Sequence, residues 1–278
     1  MTEQSAIARP EAEPRTSTYA LEVPDLGTVP LTVHEQGSGR PFLLLHGGAG
    51  PQSVLGFAGR LASELGVRVL TPVHPGFAGT ARPDALDGAR GLAATYAALV
   101  EHLDLTDLSV VGNSIGGWVA AELAALTSTE PTGRARSRWR DLTLVGAVGL
   151  EVPGHLPVDF FALTLDEVAD LSYHEPDRFR LDPATLPPAV RDAMPGNRAA
   201  LLVYGGTTMT DPSLADRLPA IAVPTTVVSG TADRIVDAEV GRTYAALIPG
   251  ARFVLLPETG HLPQLETPDA LLRVLRQD

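Results

Sequence analysis

The chain contains no cysteine, which excludes disulfides, thiolate nucleophiles and cysteine metal sites and leaves the redox compartment open. Basic excess is missing as well. Thirty-three acidic residues against 21 basic ones give a net charge of −12, so no positive field exists to draw in a nucleic-acid backbone or an anionic membrane surface. Nucleic acid is not expected as a partner. The densest basic run, Arg134, Arg136, Arg138 and Arg140, reads as a solvated connection rather than an anion site. Long apolar runs are also lacking. Residues 1–16 are polar and rich in Glu, Ala and Pro, with no segment suited to a secretory signal, and nothing further along is long enough to span a bilayer. A cytoplasmic protein without membrane contact is the expectation.

What is present suits one folded domain with a large core: 278 residues, 44% hydrophobic and 19% charged. Residues 19–23 and 29–34 alternate as two strands joined through Asp25-Leu26-Gly27, which predicts a hairpin. Short apolar runs at 42–45, 68–70, 108–111, 142–148, 225–228 and 253–256 suit buried parallel strands. Between them, 54–65, 92–103, 118–126, 239–247 and 269–275 carry apolar residues at helical spacing. Alternating strands and helices predict an α/β doubly wound sheet. The alternation breaks at about 151–218, where prolines from Pro153 to Pro212 punctuate short helical pieces. The predicted organisation is a flexible tail at 1–16, a core at 17–150 and 219–278, and an insertion at 151–218 lying over the sheet's C-terminal edge.

Gly112-Asn113-Ser114-Ile115-Gly116 places G-x-S-x-G between an apolar strand and a helical segment. A sharp turn there strains the backbone and exposes the serine, and the flanking glycines remove side chains that would collide. Upstream, His46-Gly47-Gly48-Ala49-Gly50 ends a buried strand in a loop nearly free of side chains, so the N–H groups of Gly48 and Ile115 are the candidate oxyanion hole. His46 reads as a residue that holds this turn by hydrogen bonds. Near the C-terminus Asp233 and His261 each follow a strand, 28 residues apart, in the order Ser, Asp, His. A serine hydroxyl is a poor nucleophile at neutral pH, so an imidazole must take its proton and a carboxylate must fix the imidazole tautomer. Ser114 is thus the expected nucleophile, His261 the base and Asp233 the orienting acid. Glu151, which follows the strand at 142–148, is the rival acid, and Asp237 is expected inside the next helix. Such chemistry calls for no metal and no organic cofactor.

With these motifs in hand, the chain from about Tyr19 to Asp278 resembles the α/β-hydrolase superfamily in its order of elements. HGGAGP at residues 46–51 and GNSIGG at 112–117 are similar to the group holding bacterial esterases and the carbon–carbon bond hydrolases of aromatic ring cleavage. The segment 72–80, with His74, resembles the family loop that walls the site, while His74 itself reads as structural. The resemblance implies an α/β-hydrolase fold with a helical cap at 151–218, inserted after the sixth strand. Phe160, Phe161, Leu163, Leu165, Met194, Leu202, Tyr204 and Met209 of that cap, with Leu262, are the candidate lining of an acyl pocket. Leu262 departs from the carbon–carbon hydrolases, which usually carry an aromatic residue after the catalytic histidine. The leading expectation is hydrolysis of a small-molecule ester or similar apolar acyl substrate. Carbon–carbon hydrolysis of a ring-fission diketone, a biosynthetic cyclase, thioesterase or cofactor-free oxygenase, and a non-catalytic ligand receptor stand as alternatives on the same fold.

Overall fold

A computed structural model describes residues 14–130 and 135–276. Strands β1 (Arg15–Val23) and β2 (Gly27–Gly37) form the expected antiparallel hairpin. Asp25 and Gly27 take the turn's positive φ values of 64° and 70°. The hairpin starts earlier than expected: Arg15 pairs with Glu35 and Thr16 with His34, so the last two residues assigned to a tail belong to the sheet. Residues 1–13 of that tail lie outside the described residues.

The core then alternates as the apolar runs predict. In order come β3 (Pro41–Leu45), α1 (Gln52–Leu65), β4 (Arg68–Pro72), α2 (Ala89–His102), β5 (Leu108–Asn113), α3 (Ile115–Ser128) and β6 (Trp139–Val145). Four helices follow: α4 (Leu165–Ser172), α5 (Pro176–Phe179), α6 (Pro188–Gly205) and α7 (Leu214–Arg217). β7 (Thr225–Gly230), α8 (Ala238–Leu247), β8 (Arg252–Leu256), α9 (Pro263–Glu266) and α10 (Pro268–Leu275) complete the chain. The eight strands pair in the order β1-β2-β4-β3-β5-β6-β7-β8, parallel from β4 to β8. Successive strand residues serve opposite faces. Leu43, Leu45, Val110, Leu144 and Val227 pack with α2, α3 and α8, whereas Phe42, Leu44, Val111, Val145 and Val228 pack with α1 and α10. Strand order reverses around β3, so a crevice opens at the C-terminal ends of β3 and β5, where an open α/β sheet binds its ligands. His46–Gly48 and Ser114 lie at those two ends.

Three local expectations are corrected. The strand predicted through residue 148 stops at Val145, because Gly146 and Gly149 turn the chain with φ of 51° and 102°. The inserted segment is not only short pieces: α6 runs 18 residues, started by Pro188 and continuing through Pro195. Arg138 is buried rather than solvated, and its guanidinium donates to Asp104 Oδ1 and the Leu105 carbonyl at 2.8 and 2.9 Å. Arg140 faces Asp107 at 3.6 Å, and Arg134 lies outside the described residues. Among the described residues no helix is long and apolar enough to cross a membrane.

Candidate active site

Ser114 stands between the last residue of β5 and the first of α3, with φ 57° and ψ −121°, a region costly for a residue with a side chain. Two close approaches impose it. A Cβ on Gly112 would come within 2.2 Å of the Gly116 carbonyl oxygen, and one on Gly116 within 2.5 Å of the Leu45 carbonyl oxygen, so α3 can press against β3 and β5 only through glycine. The Ser114 N–H donates to the Val145 carbonyl at 2.9 Å, and its own carbonyl accepts from Gly117 and Trp118. The side chain is left facing a cavity of about 1210 Å³.

The two proposed oxyanion donors sit on either side of this serine. Ile115 is the first residue of α3, so its N–H is among those that no helical turn can satisfy. Gly48 lines the cavity beside it. A Cβ on Gly48 would lie 2.7 Å from Leu201 Cδ2 of α6, and one on Gly47 would lie 3.1 Å from Ser114 Cβ. The loop is therefore bare because both α6 and the serine turn crowd it.

His261 also lines the cavity, and its Nδ1 lies 2.8 Å from Asp233 Oδ2. Asp233 Oδ1 accepts from the Ile235 and Val236 N–H groups, both at 2.9 Å, which leaves the carboxylate one orientation. A carboxylate can only accept, so Nδ1 carries the imidazole proton and the Nε2 lone pair is free. The rival acids lie elsewhere. Glu151 is exposed and does not line the cavity. Asp237 is not inside α8 but caps it, accepting from the Glu239 N–H at 2.8 Å and facing His155 at 3.1 Å.

His46 and His74 form a buried pair beneath the glycine loop, with ring centroids 3.8 Å apart. The His74 N–H donates to His46 Nε2 at 3.1 Å, so the His46 proton sits on Nδ1, which donates to the Gly47 carbonyl at 2.8 Å. His74 Nε2 in turn donates to the His46 carbonyl at 2.8 Å, and its Nδ1 accepts from the Tyr96 hydroxyl. The His46 ring is thus required neutral. Burial is the main cause that pushes the His74 pKa down to about 4, and burial with the neighbouring His74 holds His46 well below its usual value.

Of the candidate pocket residues, Phe160, Met209 and Leu262 line the cavity, as do Leu163, Leu165 and Met194. Phe161, Leu202 and Tyr204 do not. Tyr204 is buried and donates to the Pro75 carbonyl at 2.7 Å, Leu202 is exposed, and Phe161 packs edge-on against Phe160. Three groups near the site carried no expectation. Gly146 turns the chain so close that a Cβ there would sit 3.1 Å from His261 Nδ1 and 3.3 Å from Asp233 Oδ2. Its signal was a glycine inside an apolar run. Ser172 of α4 accepts the His261 N–H at 2.6 Å, a contact between distant segments that leaves no local trace. Arg178, Arg180 and Arg198 line the cavity, and no Asp or Glu does so among the described residues. Arg178 pairs with Glu175, and Arg180 with Asp166 and Asp170. Arg198 instead donates to the Phe161 carbonyl and lies over the rings of Phe160 and Phe161, at 5.7 and 5.5 Å.

Known proteins agree with this architecture. A 2-hydroxymuconate semialdehyde hydrolase of Pseudomonas putida is 30% identical over 87% of this chain and 88% of its own. Lipase 3 of a Moraxella species is 27% identical over 82% of this chain and 74% of its own. In structure, a thermophilic esterase from Thermogutta terrifontis superposes with a TM-score of 0.72, covering 94% of this chain and 97% of its own at 24% identity. The sequence model of the alpha/beta hydrolase family matches residues 42–274, and the chain belongs to that family.

Proposed function

We propose that this alpha/beta hydrolase is a serine hydrolase that cleaves an ester or related acyl compound with a bulky apolar acyl group. The observation that carries the reading is one cavity lined by both a serine on a strained backbone and a histidine whose Nδ1 is fixed by a carboxylate. Ser114 Oγ attacks the substrate carbonyl as His261 Nε2 takes its proton, and the Gly48 and Ile115 N–H groups meet the oxyanion. His261 returns that proton to the leaving alkoxide. Water, deprotonated by the same imidazole, then adds to the acyl carbon, releasing the acid and restoring Ser114. Residues 151–218 act as a cap, and three contacts support this: Leu201 against Gly48, Tyr204 on Pro75 and Ser172 on His261.

The test is turnover of p-nitrophenyl esters together with labelling by a fluorophosphonate, the modified residue being located by peptide mapping. Ser114→Ala should abolish both while the protein stays folded. A label that persists on another serine sinks the assignment.

A second reading, hydrolysis of a carbon–carbon bond in a ring-fission diketone, is favoured by one observation. Arg198 brings to a mostly apolar wall a guanidinium that has no acidic partner among the described residues, and such a group suits an anionic substrate. A carbon leaving group must be protonated before its bond breaks, so this chemistry asks more of the site than an ester does. Efficient diketone cleavage that Arg198→Gln removes, with only trace ester turnover, would put this reading first.

A further inference from the structure

Gln264, the second residue of α9, is buried and does not line the cavity. Its Nε2 donates to Asn113 Oδ1 at 3.1 Å, while its Oε1 has no hydrogen-bond partner among the described residues. Asn113 is itself buried and immediately precedes Ser114. Its Nδ2 donates to two main-chain carbonyls, Val145 at 3.2 Å and His261 at 3.0 Å. Both amide orientations are therefore determined. Turning Asn113 would set its oxygen against two carbonyls, and turning Gln264 would set Oε1 against Asn113 Oδ1. In the only arrangement that pairs them, Gln264 keeps an orphaned acceptor.

An apolar side chain of similar shape would remove this orphaned acceptor but strand Asn113 Oδ1 in its place, so the pair is worth no more to stability than one neutral hydrogen bond. Stability is thus a poor account of Gln264. Position is a better one. The amide pair closes a ring that runs from the His261 carbonyl through Asn113 and Gln264 back along α9 to His261, and Asn113 carries Ser114 on its other side. Asn113 Oδ1 also stands where a Cβ on Gly47 would come within 3.1 Å, so the oxyanion loop rests on the same group. We propose that Gln264 is a positioning residue that acts through Asn113, holding the His261 loop in register with the serine turn. This rests on the assignment of Ser114 and His261 as reacting groups.

The test uses Gln264→Met and Gln264→Leu in the full chain, read by thermal melting, by kcat and KM on p-nitrophenyl butyrate, and by the rate of fluorophosphonate labelling. The expected result is a melting temperature lowered by no more than about 4 °C, KM within about twofold, and kcat and labelling rate each lower by about ten- to a hundredfold. Unchanged kcat overturns the proposal. So does a fall in kcat that goes with a larger fall in melting temperature, or failure of both variants to fold, because each would make the amide pair a stability element. Ser114→Ala run alongside separates the two failures: labelling that survives there refutes the serine assignment, whatever Gln264 does.

Discussion

Ser114 is held at backbone angles that cost on the order of 1–3 kcal/mol, and the residues around it show where the site tolerates no added atom. Gly146 is the position where an added atom would meet the histidine–aspartate pair. Alanine there would strain a φ of 51° and press a methyl group on His261 Nδ1 and Asp233 Oδ2. Gly146→Ala should therefore lower kcat on an aryl ester at least about tenfold, while denaturant unfolding shows a loss of only about 1–2 kcal/mol from the left-handed backbone. Full activity in that variant would mean that the histidine and aspartate can shift without consequence. Asp233→Asn should reduce kcat by about 10⁴, because the amide can donate to Nδ1 and favours the wrong imidazole tautomer. Glu151→Gln should leave kcat within about twofold. Steady-state kinetics on the same ester checks both, and the reverse pattern would move the acid to the loop after β6. Asp233 and Glu151 are alike in sequence, each just beyond a strand, and Asp237 follows Asp233 by only four residues. What separates them is which carboxylate points at Nδ1, and that depends on how the β6 and β7 loops lie beside His261.

The elements that carry the site are tied to the inserted segment by a buried ion cluster. Glu122 of α3 accepts from Arg217 Nε of α7 at 2.9 Å and from Trp118 Nε1 at 3.2 Å, and Arg217 also pairs with Asp211. Burial works against the Arg217 charge, but hydrogen bonds and attraction from Glu122 and Asp211 outweigh it and raise its pKa above the usual value. Arg217→Ala should cost about 3–5 kcal/mol in urea unfolding, because it strands a buried carboxylate on the helix that begins at the serine turn. A loss below about 1 kcal/mol would show that Glu122 finds water or another partner. Arg217 stands in a short helix of ordinary polar sequence, so neither periodicity nor composition marks it. The strands and the longer core helices, by contrast, were legible to within a few residues, since alternation and helical spacing are local properties of the chain.

At the scale of the whole molecule, the neutral His46–His74 pair couples the glycine loop at residues 47–50 to pH. The folded pKa of His74, about 4, lies below its ordinary value of about 6.5, so the unfolded chain binds more protons between those limits. Stability from this group is present in full above about pH 6.5 and is lost as pH falls towards 4, up to on the order of 3 kcal/mol. His46, shifted in the same direction, adds to the loss. Thermal melts should therefore fall steadily from pH 6.5 to 4.5 in the native protein and less steeply in His74→Gln. Equal slopes in the two would show that other groups govern the acid limb.

The sequence by itself determined the fold family, the strand and helix order, the serine turn with its glycines, and the chain order of serine, acid and histidine. Each of these is written in residues close together or in a repeating period, and backbone sterics translate such patterns the same way in many proteins. Only the tertiary structure decided which carboxylate meets His261, that Phe160 and Leu262 line the cavity while Tyr204 and Phe161 do not, and that Arg198 stands on its wall with no acidic partner among the described residues. The helices at 151–218 expose one face and bury another according to what lies beneath them. Their side-chain directions follow from packing on the Gly48 loop, the segment at Pro75 and the His261 loop, elements far away in sequence, and no local pattern encodes that contact.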